Sequence, residues 1–77
     1  MTREELRKEP GYIEAHQKIE NYPKGFKFTV YFNQMPASKR RAMEYLLEDC
    51  RKEKLIDCIS IGVALSGECT DETFVRL

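Results

Sequence analysis

Two stretches of the chain alternate apolar and polar residues with the period of a β-strand. The first places Phe26, Phe28, Val30 and Phe32 between Lys27, Thr29 and Tyr31. The second places Ile59, Ile61, Val63 and Leu65 between Ser60, Gly62 and Ala64. Side chains of a strand point alternately to its two faces, so both stretches are predicted as strands whose apolar residues enter a core.

The segment between these strands has helical periodicity. Its apolar residues Met43, Leu46, Leu47 and Cys50 fall on one stripe. A helix is predicted from near Pro36 to about Lys54, which is long enough to run back along a sheet. The two strands are therefore predicted to be parallel and joined by a right-handed β-α-β crossover.

Two shorter helices are predicted before the first strand. Thr2 and Glu5 have the spacing of a capping box, which marks a helix start. A second helix is predicted from Pro10 to Glu20, because proline is favoured in a first turn. We expect residues 1–24 to form a helical segment that packs on a core of residues 25–77, in one small domain spanning 1–77.

The end of the chain allows two interpretations. As a strand, residues 70–77 would point Thr73, Val75 and Leu77 inward and complete a three-stranded sheet; as a helical turn, Phe74 and Leu77 would pack down instead. The strand is preferred. The predicted fold class is a two-layer α+β (α/β) sandwich of order α-α-β-α-β-(β), with a small mixed sheet of two or three strands and its helices on one face.

Composition limits the function classes. The 77 residues include 13 basic and 13 acidic side chains, so no overall field draws the chain to nucleic acid or to an anionic membrane. No apolar run approaches the roughly 18 residues of a membrane span. The odd number of cysteines, with a charged stretch following Met1, is typical of a reduced cytoplasmic protein.

Two features are candidates for binding a partner. Lys39, Arg40 and Arg41 lie at the start of the long helix, where the macrodipole disfavours cations and Glu44 offsets only part of that cost. The uncovered sheet face is predicted to carry Lys27, Thr29, Tyr31, Cys58, Ser60, Gly62 and Ala64. We hypothesise that Lys39, Arg40, Arg41, Lys27 and Tyr31 contact the partner, with Tyr31 as an aromatic anchor.

Residue patterns for catalysis or cofactor binding are missing. Cys50, Cys58, Cys69 and His16 lack the paired spacing of a zinc site, and Cys50 and His16 fit packed positions better. The acidic residues Glu44, Glu48, Asp49 and Glu53 fit a solvated helix face with basic partners. No glycine-rich phosphate loop is present. The sequence thus predicts no enzyme activity, no cofactor and no metal site.

The preferred hypothesis is a small non-enzymatic protein that acts by occupying the surface of a protein partner. In size and make-up alone, the chain resembles accessory proteins of phages and mobile elements, including inhibitors of host defence nucleases such as CRISPR effectors; no residue is carried over from that resemblance. One alternative is a nucleic-acid-binding module that uses the basic helix start and the sheet face. Another is a homo-oligomeric structural module, for example a homodimer.

Overall fold

The computed structural model describes residues 2–77, which form three α-helices and a three-stranded sheet. The helices are α1 (Arg3–Arg7), α2 (Pro10–Glu20) and α3 (Ala37–Lys52), and the strands are β1 (Lys27–Tyr31), β2 (Ile56–Val63) and β3 (Cys69–Arg76), with a 3-10 helix at Phe32–Gln34. The predicted α+β class and element order are confirmed, and the last segment is a strand. No helix in residues 2–77 combines the length and apolar character needed to cross a membrane.

The strand pairing of the sheet differs from the prediction. The order in the sheet is β1-β3-β2, and β3 is antiparallel to both neighbours. β1 and β2 therefore run in the same direction, but they do not pair, and the expected mixed sheet is instead fully antiparallel. The C-terminal strand enters between them, where its backbone finds hydrogen-bond partners along both edges.

The core lies between the helices and one face of the sheet. Its buried apolar residues are Ile19, Val30, Phe32, Leu46, Leu47, Cys50, Ile56 and Phe74. Phe74 is 0% exposed, and its ring centroid lies 5.6 Å from that of Phe28 on the neighbouring strand. The expectation that Thr73, Val75 and Leu77 point inward is wrong. The other set of alternating residues in β3, which includes Phe74, points into the core instead.

The second predicted strand also faces differently from expectation. Ile56 and Cys58 of β2 pack in or against the core, whereas Ile59, Ile61, Val63 and Leu65 are all exposed. An irregularity in the pairing of β2 with β3 lies between Cys58 and Ser60, and a second lies between Gly62 and Val63. Ile61 pairs with Glu72, and Glu72 pairs on its other side with the buried Val30, so Ile61 lies on the helix-side face of the sheet. The predicted burial is wrong because the helices do not cover this end of β2, where Ile61 is exposed.

The helix ends show how local sequence sets the boundaries. Thr2 Oγ1 accepts a hydrogen bond from the Glu5 backbone N–H at 3.2 Å, so the predicted N-cap of α1 is confirmed. At the C-terminal end of α3, Lys54 adopts the left-handed backbone conformation with a φ of 60°. The Leu55 N–H donates to the Cys50 carbonyl at 2.9 Å and the Lys54 N–H to the Arg51 carbonyl at 3.0 Å. These two bonds define a Schellman motif in which lysine holds the usual glycine position.

The opposite sheet face is polar, as predicted for β1. Lys27, Thr29 and Tyr31 are exposed on it, and the hydroxyls of Thr29 and Thr73 lie 3.0 Å apart across the two strands. Cys58 was expected on this surface, but it packs against the core. The helix-covered and uncovered faces of a two-layer sandwich are thus both present.

Candidate functional site

The three basic residues at the start of α3 divide into two roles. Arg40 is partly buried, and its Nε and Nη2 donate to the Phe32 backbone carbonyl at 3.2 and 3.0 Å. That carbonyl belongs to the 3-10 helix that follows β1. Arg40 therefore fastens α3 to the end of β1, and we assign it a structural role.

Lys39 and Arg41 remain as exposed cations on the surface of α3. Within residues 2–77, neither makes an ion pair, and the pairs expected between Glu44 and Arg40 or Arg41 do not form. Two positive charges near a helix N-terminus lie in the unfavourable field of the backbone dipole. An anionic partner at this position would relieve that field.

Both cations line a groove between the α1–α2 segment and α3. Its volume is about 740 Å³. The lining residues are Leu6, Glu9, Gly11, Tyr12, Ala37, Ser38, Lys39, Arg41, Ala42, Met43 and Leu46. Apolar side chains with a few charged groups among them are the usual lining of a binding groove, in which burial supplies affinity and charges supply orientation.

A buried polar cluster holds the two sides of the groove together. Asp49 of α3 is 5% exposed. Its carboxylate accepts bonds from Arg7 Nη2 at 2.8 Å and Arg7 Nε at 3.0 Å, and from the Tyr12 hydroxyl. A single carboxylate thus joins α1 and α2 to α3, next to the groove that Tyr12 lines.

The cluster also changes the acidity of its members. The hydrogen bonds from Arg7, which outweigh the cost of burial, lower the pKa of Asp49 to about 2. Burial, together with the hydrogen bond to Asp49, raises the pKa of Tyr12 to about 12. The hydrogen bond to Asp49 also raises the pKa of Arg7. Near neutral pH the cluster is a fixed ion pair with a neutral phenol, which suits support of the fold better than proton transfer.

Sequence reasoning missed this cluster, because Asp49 was assigned with Glu44, Glu48 and Glu53 to a solvated helix face. Glu48 fits that assignment, since it pairs at the surface with Arg3 at 2.9 Å and Lys52 at 3.4 Å. The available signal was the position of Asp49 on the border of the apolar stripe, beside Leu46 and Cys50. The partner Arg7 lies 42 positions away in the sequence, and no pattern in the sequence links it to Asp49.

The two sheet residues in the predicted site lie apart from the groove. Lys27 and Tyr31 occupy the uncovered face at opposite ends of β1, paired in register with Val75 and Asp71. The helical layer, with Lys39 and Arg41, is on the other side of the sheet. The five predicted contact residues therefore do not form one surface.

The side chains considered for metal binding or nucleophilic chemistry have other surroundings. His16 Nδ1 lies 2.5 Å from Glu20 and its Nε2 lies 2.9 Å from Glu53, so both ring nitrogens are engaged. Burial raises the pKa of Cys50 to about 12, and burial followed by the charge of Glu72 raises that of Cys69. Across residues 2–77, no three histidine, cysteine or acidic side chains converge as a metal-ligand set.

Comparison of the chain with protein-family models, with curated proteins and with solved structures finds no match.

Proposed function

We propose that this protein is a non-enzymatic protein-binding module that takes an acidic, partly apolar segment of a partner protein into the groove between α1–α2 and α3. The observation that supports this function is the combination of an apolar groove of about 740 Å³ with Lys39 and Arg41 at its lining. A partner carboxylate beside these cations would gain from both charges, and apolar side chains would cover Met43 and Leu46.

Hydrogen bonds within the chain connect the two sides of the groove, which favours affinity. Arg7 and Tyr12 donate to Asp49 and so hold α1 and α2 against α3. A surface that is already ordered loses little conformational entropy when a partner arrives. Action by occupancy, including inhibition of the partner, needs no further chemistry.

The nucleic-acid alternative draws less support from the same residues. A single-strand binder needs cations and stacking aromatics on one continuous surface, whereas Lys27 and Tyr31 lie on the sheet face away from Lys39 and Arg41.

The three free thiols favour a reducing compartment such as the cytoplasm for this module.

A selection from a library of displayed random 12-residue peptides tests the proposal. We expect the enriched peptides to combine acidic and apolar residues and to shift the amide NMR signals of residues around the groove. The double variant Lys39→Glu/Arg41→Glu should raise the dissociation constant of such a peptide at least about tenfold, because two attractive charges become repulsive.

A matched control reverses two exposed cations at the other end of α3. The variant Arg51→Glu/Lys54→Glu carries the same change in net charge and should bind the peptide as the unmodified protein does. Enriched peptides without acidic residues, or equal weakening by the two double variants, would contradict the proposal. Binding of a random single-stranded oligonucleotide with a steep dependence on salt would favour the nucleic-acid alternative instead.

A further inference from the structure

β2 forms an edge of the sheet with no strand beyond it in residues 2–77. It pairs only with β3, and it is eight residues long, whereas β1 at the opposite edge has five. Along an edge strand, alternate backbone N–H and C=O groups point away from the sheet and can pair with another strand. β2 therefore offers backbone groups for strand addition, and residues 60–62 form the regular stretch between its two pairing irregularities.

The side chains of this edge are apolar and exposed. Ile59, Ile61 and Val63 are 49%, 58% and 62% exposed. Soluble proteins usually protect such an edge with charges, with a covering element or with bulges that twist the strand away, and β2 has pairing irregularities after Cys58 and after Gly62. The edge strand β1 begins at Lys27 and continues directly into a 3-10 helix, but in β2 the segment 59–63 contains no charged residue.

The charge pattern of β2 favours a second copy of the same strand as its partner. In an antiparallel pairing centred on Ile61, Ile59 of one copy lies opposite Val63 of the other, and every facing residue is uncharged. Asp57, which is the sole charged residue of the strand, falls opposite Leu65, outside this five-residue overlap. The chain also has a formal net charge of zero, so two copies approach without long-range repulsion.

An acidic segment, as proposed for the groove, fits this edge poorly. Its carboxylates would lie against isoleucine and valine with no basic residue of 59–63 to pair with them. A small domain also gains stability from a partner chain, because its own core is limited. The apolar edge and the basic groove thus select different partners.

We infer that two copies of this chain associate through antiparallel pairing of their β2 strands about Ile61, which would join the two three-stranded sheets into one continuous sheet. The uncharged segment 59–63 sets the register, because backbone hydrogen bonds form equally in other registers, and the exposed isoleucine and valine side chains of both copies cover one another. This inference uses no residue of the groove, so its test is independent of the test of the proposed function.

Sedimentation equilibrium of the full chain over a wide concentration range tests the inference. We expect a reversible dimer, and we expect Ile61→Lys to raise its dissociation constant at least about tenfold, because two like charges then face each other at the symmetry axis. The control Ile13→Lys changes an isoleucine of α2 with 44% exposure and should leave the dimer unchanged. Circular dichroism checks that both variants are folded.

Hydrogen exchange identifies the surface that is used. Amides of residues 59–63 should gain protection as the protein concentration rises, and the gain should disappear in Ile61→Lys. A protein that stays monomeric at all concentrations, or a dimer that Ile61→Lys does not weaken, would overturn the inference. A dimer with protection on the opposite sheet face, around Thr29 and Tyr31, would overturn it as well.

Discussion

Replacement of Asp49 by asparagine should destabilise the protein in a pH-dependent way. The buried carboxylate accepts two hydrogen bonds from Arg7 and one from Tyr12, and it joins both N-terminal helices to α3. Asparagine preserves the shape of the side chain but removes its charge. The charge-assisted bonds, which are the stronger kind, are therefore lost.

The lowered pKa sets the size of the effect. The fall in the pKa of Asp49 from 3.8 to about 2 corresponds to roughly 2 kcal/mol of stability, at about 1.36 kcal/mol for each pKa unit. This stability is present when the pH lies above the pKa of Asp49 in the unfolded chain. The Arg7 side chain is 47% exposed, so solvent screens part of the interaction. We expect Asp49→Asn to lower the free energy of unfolding by about 1 to 2 kcal/mol at pH 7.

The sign of the pH dependence follows from proton binding. The unfolded chain protonates Asp49 near its usual pKa, whereas the folded chain resists protonation until the pH approaches about 2. Acid therefore favours the unfolded state, and the contribution of Asp49 to stability, which is complete above about pH 5, is lost as the pH falls toward 2. The difference between the unmodified protein and Asp49→Asn should narrow over the same interval.

Urea denaturation at a series of pH values, followed by circular dichroism, measures this difference. Glu48→Gln is the matched control, because Glu48 is the preceding residue and its ion pairs with Arg3 and Lys52 lie at the surface. Its effect should be clearly smaller. Equal stability of Asp49→Asn and the unmodified protein at pH 7, or a difference that does not narrow in acid, would refute this account of Asp49.

Three further predictions concern the core, a helix end and a buried thiol. Phe74→Ala should lower the free energy of unfolding by about 3 to 5 kcal/mol in urea denaturation, enough to unfold a small domain, whereas Phe26→Ala, at an exposed position, should cost much less. Lys54→Gly should raise the free energy of unfolding by about 0.5 to 1 kcal/mol in the same assay, because glycine adopts the left-handed C′ position without strain; a loss of stability would contradict the Schellman assignment. Cys50, which is buried and has a pKa raised to about 12, should resist alkylation in the native protein at pH 8 and react in urea, as mass spectrometry of labelled peptides would show.

The contrast between α3 and β2 shows how far sequence patterns extend. The stripe of Leu46, Leu47 and Cys50 predicts the buried side of α3 correctly, because a helix of 16 residues keeps its periodicity along its whole length. The alternation in β2 predicts a strand but not its buried side chains. The pairing irregularity after Cys58 depends on β3, so the pattern within β2 alone does not reveal it.

The candidate site shows the same division. The field of the helix dipole marked Lys39, Arg40 and Arg41 as unusual from the sequence alone. Only the folded chain separates them, because the acceptor for Arg40 is a backbone carbonyl of the preceding 3-10 helix. Residues around Leu6 and Met43 gave no local sign that they share a groove, since they meet only when α1 packs beside α3.

The sequence by itself determined the helices, the strands and the apolar stripe of α3, because caps, prolines and side-chain periodicity act over a few neighbouring residues. The tertiary structure decided the central place of β3, the burial of Asp49 with Arg7, and the exposed apolar edge of β2. These features depend on contacts between residues far apart in the chain. Such contacts are selected by the free energy of the whole packed arrangement, in which the buried Asp49 is paired with Arg7 and the backbone groups of β3 are hydrogen-bonded on both sides.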